Sequence, residues 1–318
     1  MRMDKNDYIR ENNLPSKPFL KWAGGKSQLI KYIRNSIPDD FLKKKEIFYI
    51  EPFVGSGAVL FFMLENFLNI KAAIINDINS DLMNAYKVVR DNPEALICLL
   101  KQLQKDYNKV RISDRKFYYL EKRKEFNLRS EDIIHNAGLL IFLNRTCYNG
   151  LFRVNSNNEF NVPFGDYKNP KICNANTIFA CSKLLKKVTI LNEDFTGTYK
   201  YIGRDTFYYF DPPYKPLSKT SSFTSYSSLN FDDRQQERLA QFCSMLNEKG
   251  IKWLVSNSDP KNTGENNDYF EKLYRGFHIR RIKARRNINS LATGRGAINE
   301  LLIANYKMPL TPPQPKLA

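Results

Sequence analysis

Short runs of β-branched and aromatic residues alternate along the chain with longer stretches whose apolar positions recur every three to four residues. The short runs span 47–50, 72–76, 188–191, 207–210, 251–256, 277–282 and 301–305; each is bounded by polar residues and predicts a strand. Between them, Leu82, Ala85, Tyr86 and Val89 fall at i, i+3, i+4 and i+7 behind Ser80, a candidate cap. Leu239, Phe242, Cys243 and Leu246 repeat the pattern behind Asp232 and Asp233. Such spacing places the apolar side chains on one helical face. Helices are also expected over 27–35 and 58–64. The alternation predicts an α/β fold around a largely parallel sheet.

From 92 to 171 the alternation stops. Helical patterns over 96–103, 117–126 and 133–143 are followed by a Gly- and Asn-rich stretch, 144–170, with basic and aromatic residues interleaved. This part reads as an inserted, mainly helical subdomain, 92–171, within a discontinuous domain made of 1–91 and 172–309. Residues 1–16 are polar, and the Pro-rich 310–318 reads as a disordered tail.

The chain has 318 residues, 42% of them hydrophobic, enough for a full core. A net charge of +17 changes the picture: a protein this basic is expected to meet a polyanion, either nucleic acid or an anionic membrane surface. Five cysteines without Cys-x-x-Cys spacing fit reduced thiols rather than a disulfide framework or a zinc site. His135 and His278 are the only histidines and lie far apart, which excludes a histidine-based metal site or triad; His135 falls in a helical pattern and is expected to pack. The longest apolar run, 58–64, is far short of the roughly 20 residues that span a bilayer. A cytoplasmic location is the default expectation.

Three segments carry chemistry. Asp211-Pro212-Pro213-Tyr214 closes an aromatic strand pattern. Two prolines hold the backbone rigid, so the Asp211 carboxylate and a backbone carbonyl can accept two hydrogen bonds from one exocyclic amine, while Tyr214 stacks on the ring that bears it. That is a grip for a flat heterocycle such as adenine; a plain strand-end turn is the alternative. Next, the segment 51–58 runs from a strand through Phe53, Gly55 and Gly57 into an apolar helix, as α/β folds do where a nucleotide-like ligand meets the sheet edge. Asp77 ends the next strand pattern, where a carboxylate can bind both ribose hydroxyls. Position 60 is Leu, so the dinucleotide fingerprint is incomplete and a smaller adenosyl ligand is favoured over NAD. Third, Trp22, Gly24, Gly25 and Lys26 combine a stacking face, close backbone approach and a cation, without forming a Walker loop.

At these residues the chain resembles the Dam-type, GATC-methylating DNA adenine-N6 methyltransferases. The likeness runs over about residues 17–306 and is carried by 19–26, 51–58, 76–82, 211–217 and, most specifically, by 148–165. It implies a Rossmann-like class I S-adenosylmethionine-dependent methyltransferase sheet with 92–171 as the target-recognition subdomain. It implies that Trp22, Gly24, Gly25, Lys26, Asp77 and Asp211 bind S-adenosylmethionine, that Phe53, Gly55 and Gly57 form its loop, and that Asp194 contacts its adenine. Arg153 would read one guanine and Lys21 the other, with Tyr148, Asn149, Leu151 and Pro163 against the bases. Cys147 stands where some relatives have Gly, and Asp166 where relatives often have Arg.

Taken together, Asp211, Pro212, Pro213 and Tyr214 are the expected catalytic residues. They would act on an adenine flipped from double-stranded DNA, by direct displacement and without a metal. The basic run from Arg275 through Arg280, Arg281, Lys283, Arg285 and Arg286 would grip phosphates, with Arg285 and Arg286 the nearest to a polar, glycine-bearing loop. No membrane partner is expected, and the chain is expected as a monomer or weak dimer. RNA adenine, a protein-glutamine amide, and a non-catalytic DNA-binding role remain open; Asp rather than Asn at 211 counts against the glutamine amide.

Overall fold

The computed structural model describes residues 17–22, 26–214, 231–262, 267–285 and 297–309. Gly24, Gly25, Arg286 and the expected tail at 310–318 lie outside the described residues.

All seven expected strands form: β1 Ile47–Glu51, β2 Ile70–Asn76, β3 Val188–Leu191, β4 Thr206–Phe210, β5 Lys252–Ser258, β6 His278–Arg285 and β7 Ala297–Ala304. They make one sheet in the order β3-β2-β1-β4-β5-β7-β6. The first five pair in parallel, and β7 enters antiparallel between β5 and β6. This is the Rossmann-like arrangement expected, with β7 inserted into the 3-2-1-4-5-6 order. The order reverses between β1 and β4, so the loops after them diverge and open a crevice at the carboxyl edge.

Both faces of the sheet are covered. β4 shows why: Phe207 and Tyr209 point into one apolar layer, Tyr208 and Phe210 into the other, and the whole strand is buried. Helices α1 (Ile30–Ser36), α2 (Ala58–Asn66), α3 (Ser80–Asp91) and α7 (Ala175–Leu185) serve the first layer. Helices α8 (Asp233–Glu248) and α9 (Tyr269–Leu273) serve the second. Residues 58–64 are apolar on every side because α2 is buried on every side.

Two local expectations are corrected. Asn79, not Ser80, caps α3: its Oδ1 accepts the Leu82 N–H at 3.0 Å, and Ser80 is the first helical residue. The helix expected over 27–35 is a 3₁₀ turn, Lys26–Gln28, followed by α1.

Residues 92–171 hold α4 (Pro93–Lys109), α5 (Arg115–Asn127) and α6 (Ile133–Thr146), then an irregular ribbon. They share a core with the sheet: Leu96, Leu100, Tyr119 and Phe142 are continuous with α2, α3 and α7. His135 pairs with Glu125 at 2.7 Å, joining α6 to α5. Among the described residues no helix is long and apolar enough to cross a membrane.

Gly57 starts α2 at φ +76, and a Cβ there would lie 2.4 Å from the Tyr86 hydroxyl. Gly57→Ala should therefore lower stability by roughly 1–3 kcal/mol from backbone strain and overlap together. In a Tyr86→Phe background the same change should cost less, since the strain and the tight approach to Phe61 at 3.0 Å persist but the hydroxyl overlap is gone. Thermal unfolding of the four proteins of this cycle checks both; equal costs in the two backgrounds would remove the overlap from the account.

Candidate active site

β4 is buried along its length, and the carboxylate that follows it, Asp211, emerges at the carboxyl edge of the sheet. Ser256 Oγ on β5 donates to Asp211 Oδ1 at 3.0 Å, and Lys26 Nζ lies 3.1 Å from the same oxygen. Ser256 is itself paired with the Tyr209 hydroxyl at 2.9 Å. Among the described residues these contacts all fall on Oδ1, which leaves Oδ2 as an acceptor. Burial pushes the Asp211 carboxyl upward against the opposing pull of Lys26 and Ser256. The turn behind it is braced: Gln236 Nε2 donates to the Pro213 carbonyl at 3.3 Å, and Asn257 holds Gln236. Tyr214 donates to Glu300 Oε2 at 2.7 Å, and Lys26 also donates to the Tyr214 hydroxyl.

Glu51, at the end of β1, is 2% exposed and accepts a 2.7 Å hydrogen bond from Tyr49. Burial drives its pKa well above the usual carboxylate range against the opposing hydrogen bond from Tyr49, and the Asp211 charge adds to the rise. Among the described residues the crevice sets Asp211 and Glu300 against the one ammonium of Lys26, at 3.1 and 3.7 Å. A carboxylate excess in a partly desolvated site suits a ligand that brings positive charge. Among the described residues no cluster of His, Cys, Asp or Glu is arranged to hold a metal ion.

The glycine loop lies beside this cluster. Gly55 has φ +48, its N–H donates to Asp77 Oδ2 at 3.2 Å, and Asn79 N–H donates to Oδ1 at 3.0 Å. Burial raises the Asp77 carboxyl to about 6, although backbone N–H groups of Asn79, Gly55 and Ile78 oppose the shift. Tyr86 donates to the Gly55 carbonyl at 3.0 Å and fixes the loop from below. Phe53 packs on Phe195, with ring centres 5.4 Å apart. Asp194 follows β3, accepts from Thr196 N–H and pairs with Arg238 at 3.2 Å, which together hold its carboxyl below its usual range. Asn192 donates to the Asp77 carbonyl at 2.8 Å, so the loops after β2 and β3 are tied together.

Residues 147–165 fold into an antiparallel ribbon. Cys147 bridges Phe164 and Val154 bridges Phe160. Tyr148 N–H donates to the Pro163 carbonyl at 2.9 Å, and Asn161 N–H to the Arg153 carbonyl at 3.1 Å. Phe152, Phe160 and Val162 root the ribbon in the core, while Tyr148 and Asn149 are exposed. Arg153 Nε donates to Asn161 Oδ1 at 2.7 Å and Nη2 to the Asn161 carbonyl at 3.2 Å. Among the described residues its Nη1 has no partner. Leu151 is partly buried against the core.

The ribbon meets the cofactor side through two contacts. Trp22 stacks on Phe152 (5.5 Å, 18°), and a Cβ added at Gly55 would lie 3.4 Å from the Trp22 indole. Asn144 exchanges hydrogen bonds with Lys21 N–H (2.8 Å) and carbonyl (2.7 Å), and also donates to the Gly150 carbonyl at 3.0 Å. Lys21 Nζ lies 4.9 Å from the Tyr167 ring centre, and burial, helped by Arg145, lowers its pKa.

The structure thus brings Trp22, Lys26, Phe53, Gly55, Gly57, Asp77, Asp194 and Asp211–Tyr214 to one edge of the sheet, and sets Lys21, Tyr148, Asn149, Leu151, Arg153 and Pro163 on or beside one ribbon. The basic run is less available than the sequence suggests. Arg281 pairs with the buried Asp259 at 2.8 Å and with Glu271, and Arg280 donates to the Met308 and Pro309 carbonyls. Two of its cations are thus engaged in contacts within the fold. Arg285 ends β6. Glu300, Ser256 and Glu51 escaped sequence reading. Glu300 and Ser256 sit inside strand patterns, and Glu51 ends one, so nothing local separates them from ordinary strand residues.

A family model described as D12 class N6 adenine-specific DNA methyltransferase matches residues 22–288. The chain is 47% identical over 293 residues to a type II methyltransferase, M.MjaIII, of Methanocaldococcus jannaschii, covering 91% of this chain and 99% of that one. It is 38% identical to the type II methyltransferase M1.LlaDCHI of Lactococcus lactis, over 94% of this chain and 98% of that one. It is 34% identical to the DNA adenine methylase of Escherichia coli, over 95% and 99%. Among the amine acceptors left open by the sequence, these matches select adenine in DNA. The chain belongs to the D12 class of N6 adenine-specific DNA methyltransferases.

Proposed function

We propose that this enzyme moves a methyl group from S-adenosylmethionine to N6 of adenine within GATC in double-stranded DNA, acting on a base swung out of the duplex. One observation carries the reading. Asp211 has Oδ1 engaged by Ser256 and Lys26, which leaves Oδ2 to accept one N–H of an exocyclic amine, the Pro212 carbonyl being proposed to accept the other.

S-adenosylmethionine, when bound, supplies the methyl group on a sulfonium cation. The residues present suit it: the carboxylate excess around Lys26 matches a cation, and Asp77, oriented by the backbone N–H groups of Gly55, Asn79 and Ile78, presents a carboxylate for ribose hydroxyls. Trp22 and Phe53 offer apolar faces, and Lys26 a partner for a carboxylate. Asp194, at the neighbouring loop, is the acceptor proposed for the adenine of the cofactor.

An adenine amine is a weak nucleophile because its lone pair is delocalised into the ring. Hydrogen bonds to Asp211 and the Pro212 carbonyl turn the nitrogen toward sp3 geometry and free that pair for in-line displacement. Pro212 and Pro213 hold these acceptors still, and Tyr214, anchored through Glu300, supplies a stacking face. The contribution is positional and electrostatic. Residues 92–171 are the proposed target-recognition part, with 1–91 and 172–309 as the catalytic domain. Extrusion of the base costs a few kcal/mol, and Tyr148 or Leu151 would fill the gap. Arg153 would read a guanine through O6 and N7, Lys21 the other guanine, with Asn149 and Pro163 against the bases and Arg285 and Arg286 on phosphates.

Asp211→Ala is expected to lower kcat on the order of 10³-fold while the protein stays folded and binds duplex; wild-type turnover would remove the mechanism. A pH effect follows from Asp77. Its carboxyl near 6 means that the ligand-free fold favours the protonated form below that value. Hydroxyl donors favour the carboxylate, so cofactor affinity should be full above about 6 and fall below it, by up to about tenfold per pH unit. Calorimetry between pH 5 and 8 should show the inflection in wild type and none in Asp77→Asn; identical profiles would sink the ribose role. Arg153→Ala should relax discrimination at one guanine position by about 1–3 kcal/mol in kcat/KM. Equal losses on GATC and all its single-substitution variants would mark a phosphate contact instead.

A further inference from the structure

Arg129 lies in the turn between α5 and α6, with φ +48, a left-handed conformation that costs a residue with a side chain on the order of 1 kcal/mol. The bend aims its guanidinium at three segments at once. Nε and Nη2 fork onto Asp81 in the first turn of α3, at 3.2 and 2.9 Å. Nη1 donates to Asn127 Oδ1 at 3.2 Å, and Nη2 also donates to the Asn158 carbonyl at 2.9 Å. The plane of the group lies 4.7 Å from the Phe126 ring centre. The ion pair is largely shielded, with 26% and 16% of the two side chains exposed. A forked, partly desolvated guanidinium–carboxylate pair holds direction as well as charge.

What this group holds is the far end of the ribbon. Asn158, at φ +60, closes the turn in which Asn155 N–H donates to the Glu159 carbonyl and Asn158 N–H to the Asn155 carbonyl. The root of the ribbon is held by burial of Phe152, Phe160 and Val162 in the core, with Asn127, itself touched by Arg129, pairing with both backbone groups of Phe160. The returning strand continues to Asn161, which grips Arg153. Asp81, at the other end, belongs to the helix that begins just after Asp77. Arg129 therefore fixes the tip of the ribbon against the helix that follows the glycine-loop side of the sheet.

We propose that Arg129 is a positioning residue for target recognition. Pinned by Asp81, it holds the 155–158 turn so that the unbonded edge of Arg153 meets a base at a set distance from Asp211. The proposal rests on the base-reading role of Arg153 given above. The prediction concerns selectivity rather than turnover, since Arg129 touches neither the crevice nor the outer face of the ribbon.

The test uses the full chain with Arg129→Ala, Arg129→Lys and Asp81→Asn, beside Arg153→Ala. kcat/KM is measured on a GATC duplex and its single-substitution variants, cofactor affinity by calorimetry, and amide exchange across 155–161. Arg129→Ala should raise relative transfer to substituted sites on the order of tenfold, the lower part of what a lost bidentate base contact costs. Its kcat on saturating GATC duplex and its cofactor affinity should match wild type, and amides at Asn155 and Asn158 should exchange faster. Arg129→Lys should resemble Arg129→Ala, because an ammonium cannot fork onto Asp81 and reach Asn158 together. Selectivity lost in Arg153→Ala but kept in Arg129→Ala overturns the positioning role and spares the base-reading role. Selectivity kept in both overturns the base-reading role and this proposal with it. A uniform loss on every duplex, in step with a lowered Tm, reduces Arg129 to a stabilising contact and also overturns the proposal. If Arg129→Ala does not fold, Asp81→Asn, nearly isosteric, carries the same comparison.

Discussion

Everything in the crevice depends on the burial of β4 between two apolar layers. A parallel strand delivers the residue that follows it to the carboxyl edge, and β4, covered on both faces, delivers Asp211 there. The parallel neighbours obey the same rule. β1 delivers the glycine loop, β2 delivers Asp77 and β3 delivers Asp194 to that edge. The antiparallel β7 reaches it by its opposite end, which brings Glu300 to Tyr214. Two prolines and the Gln236 brace then hold the last few ångströms that packing alone leaves loose.

Charge balance is the second constraint. Asp211 and Glu300 flank one lysine, and burial raises the Asp211 and Glu51 carboxyls. Hydrogen bonds from Tyr49, Ser256 and Tyr214 each satisfy one of these carboxylates. The arrangement keeps the acceptors in place while leaving the site short of positive charge. This is the opposite of the protein as a whole, whose +17 suits the polyanion it acts on. One chain thus presents a cation-seeking crevice within an anion-seeking surface, and part of the basic surface is held internally by Asp259 and Glu271.

The ribbon and the crevice are mechanically one body. Trp22 touches the glycine loop on one side and Phe152 on the other, and Asn144 ties Lys21 to Gly150. Residues 92–171 share their core with α2, α3 and α7, so the ribbon is rooted in the same packing that covers the sheet. Precision of this kind is what a site on an irregular segment otherwise lacks.

Much of this was legible in the chain. Strand positions, the parallel core, the glycine loop, Asp77 and the Asp211–Tyr214 turn all follow from local chemistry: periodicity, backbone freedom at glycine and restriction at proline. Capping was misplaced by one residue at Asn79, since both Asn79 and Ser80 are able caps and packing of α3 chooses between them. The relation among distant segments was not legible. Glu51, Ser256 and Glu300 look like ordinary strand residues until strand order puts them around Asp211, and Arg129 looks like a surface arginine until the α5–α6 turn aims it at Asp81 and Asn158. Arg280 and Arg281 read as free cations because their partners, Asp259, Glu271 and two backbone carbonyls, lie elsewhere in sequence. By itself the sequence determined which segments could form and which groups could do chemistry, because those depend on neighbours along the chain. Only the tertiary structure decided which charges meet and which stay available, because Coulomb and hydrogen-bond partners are set by distance in space.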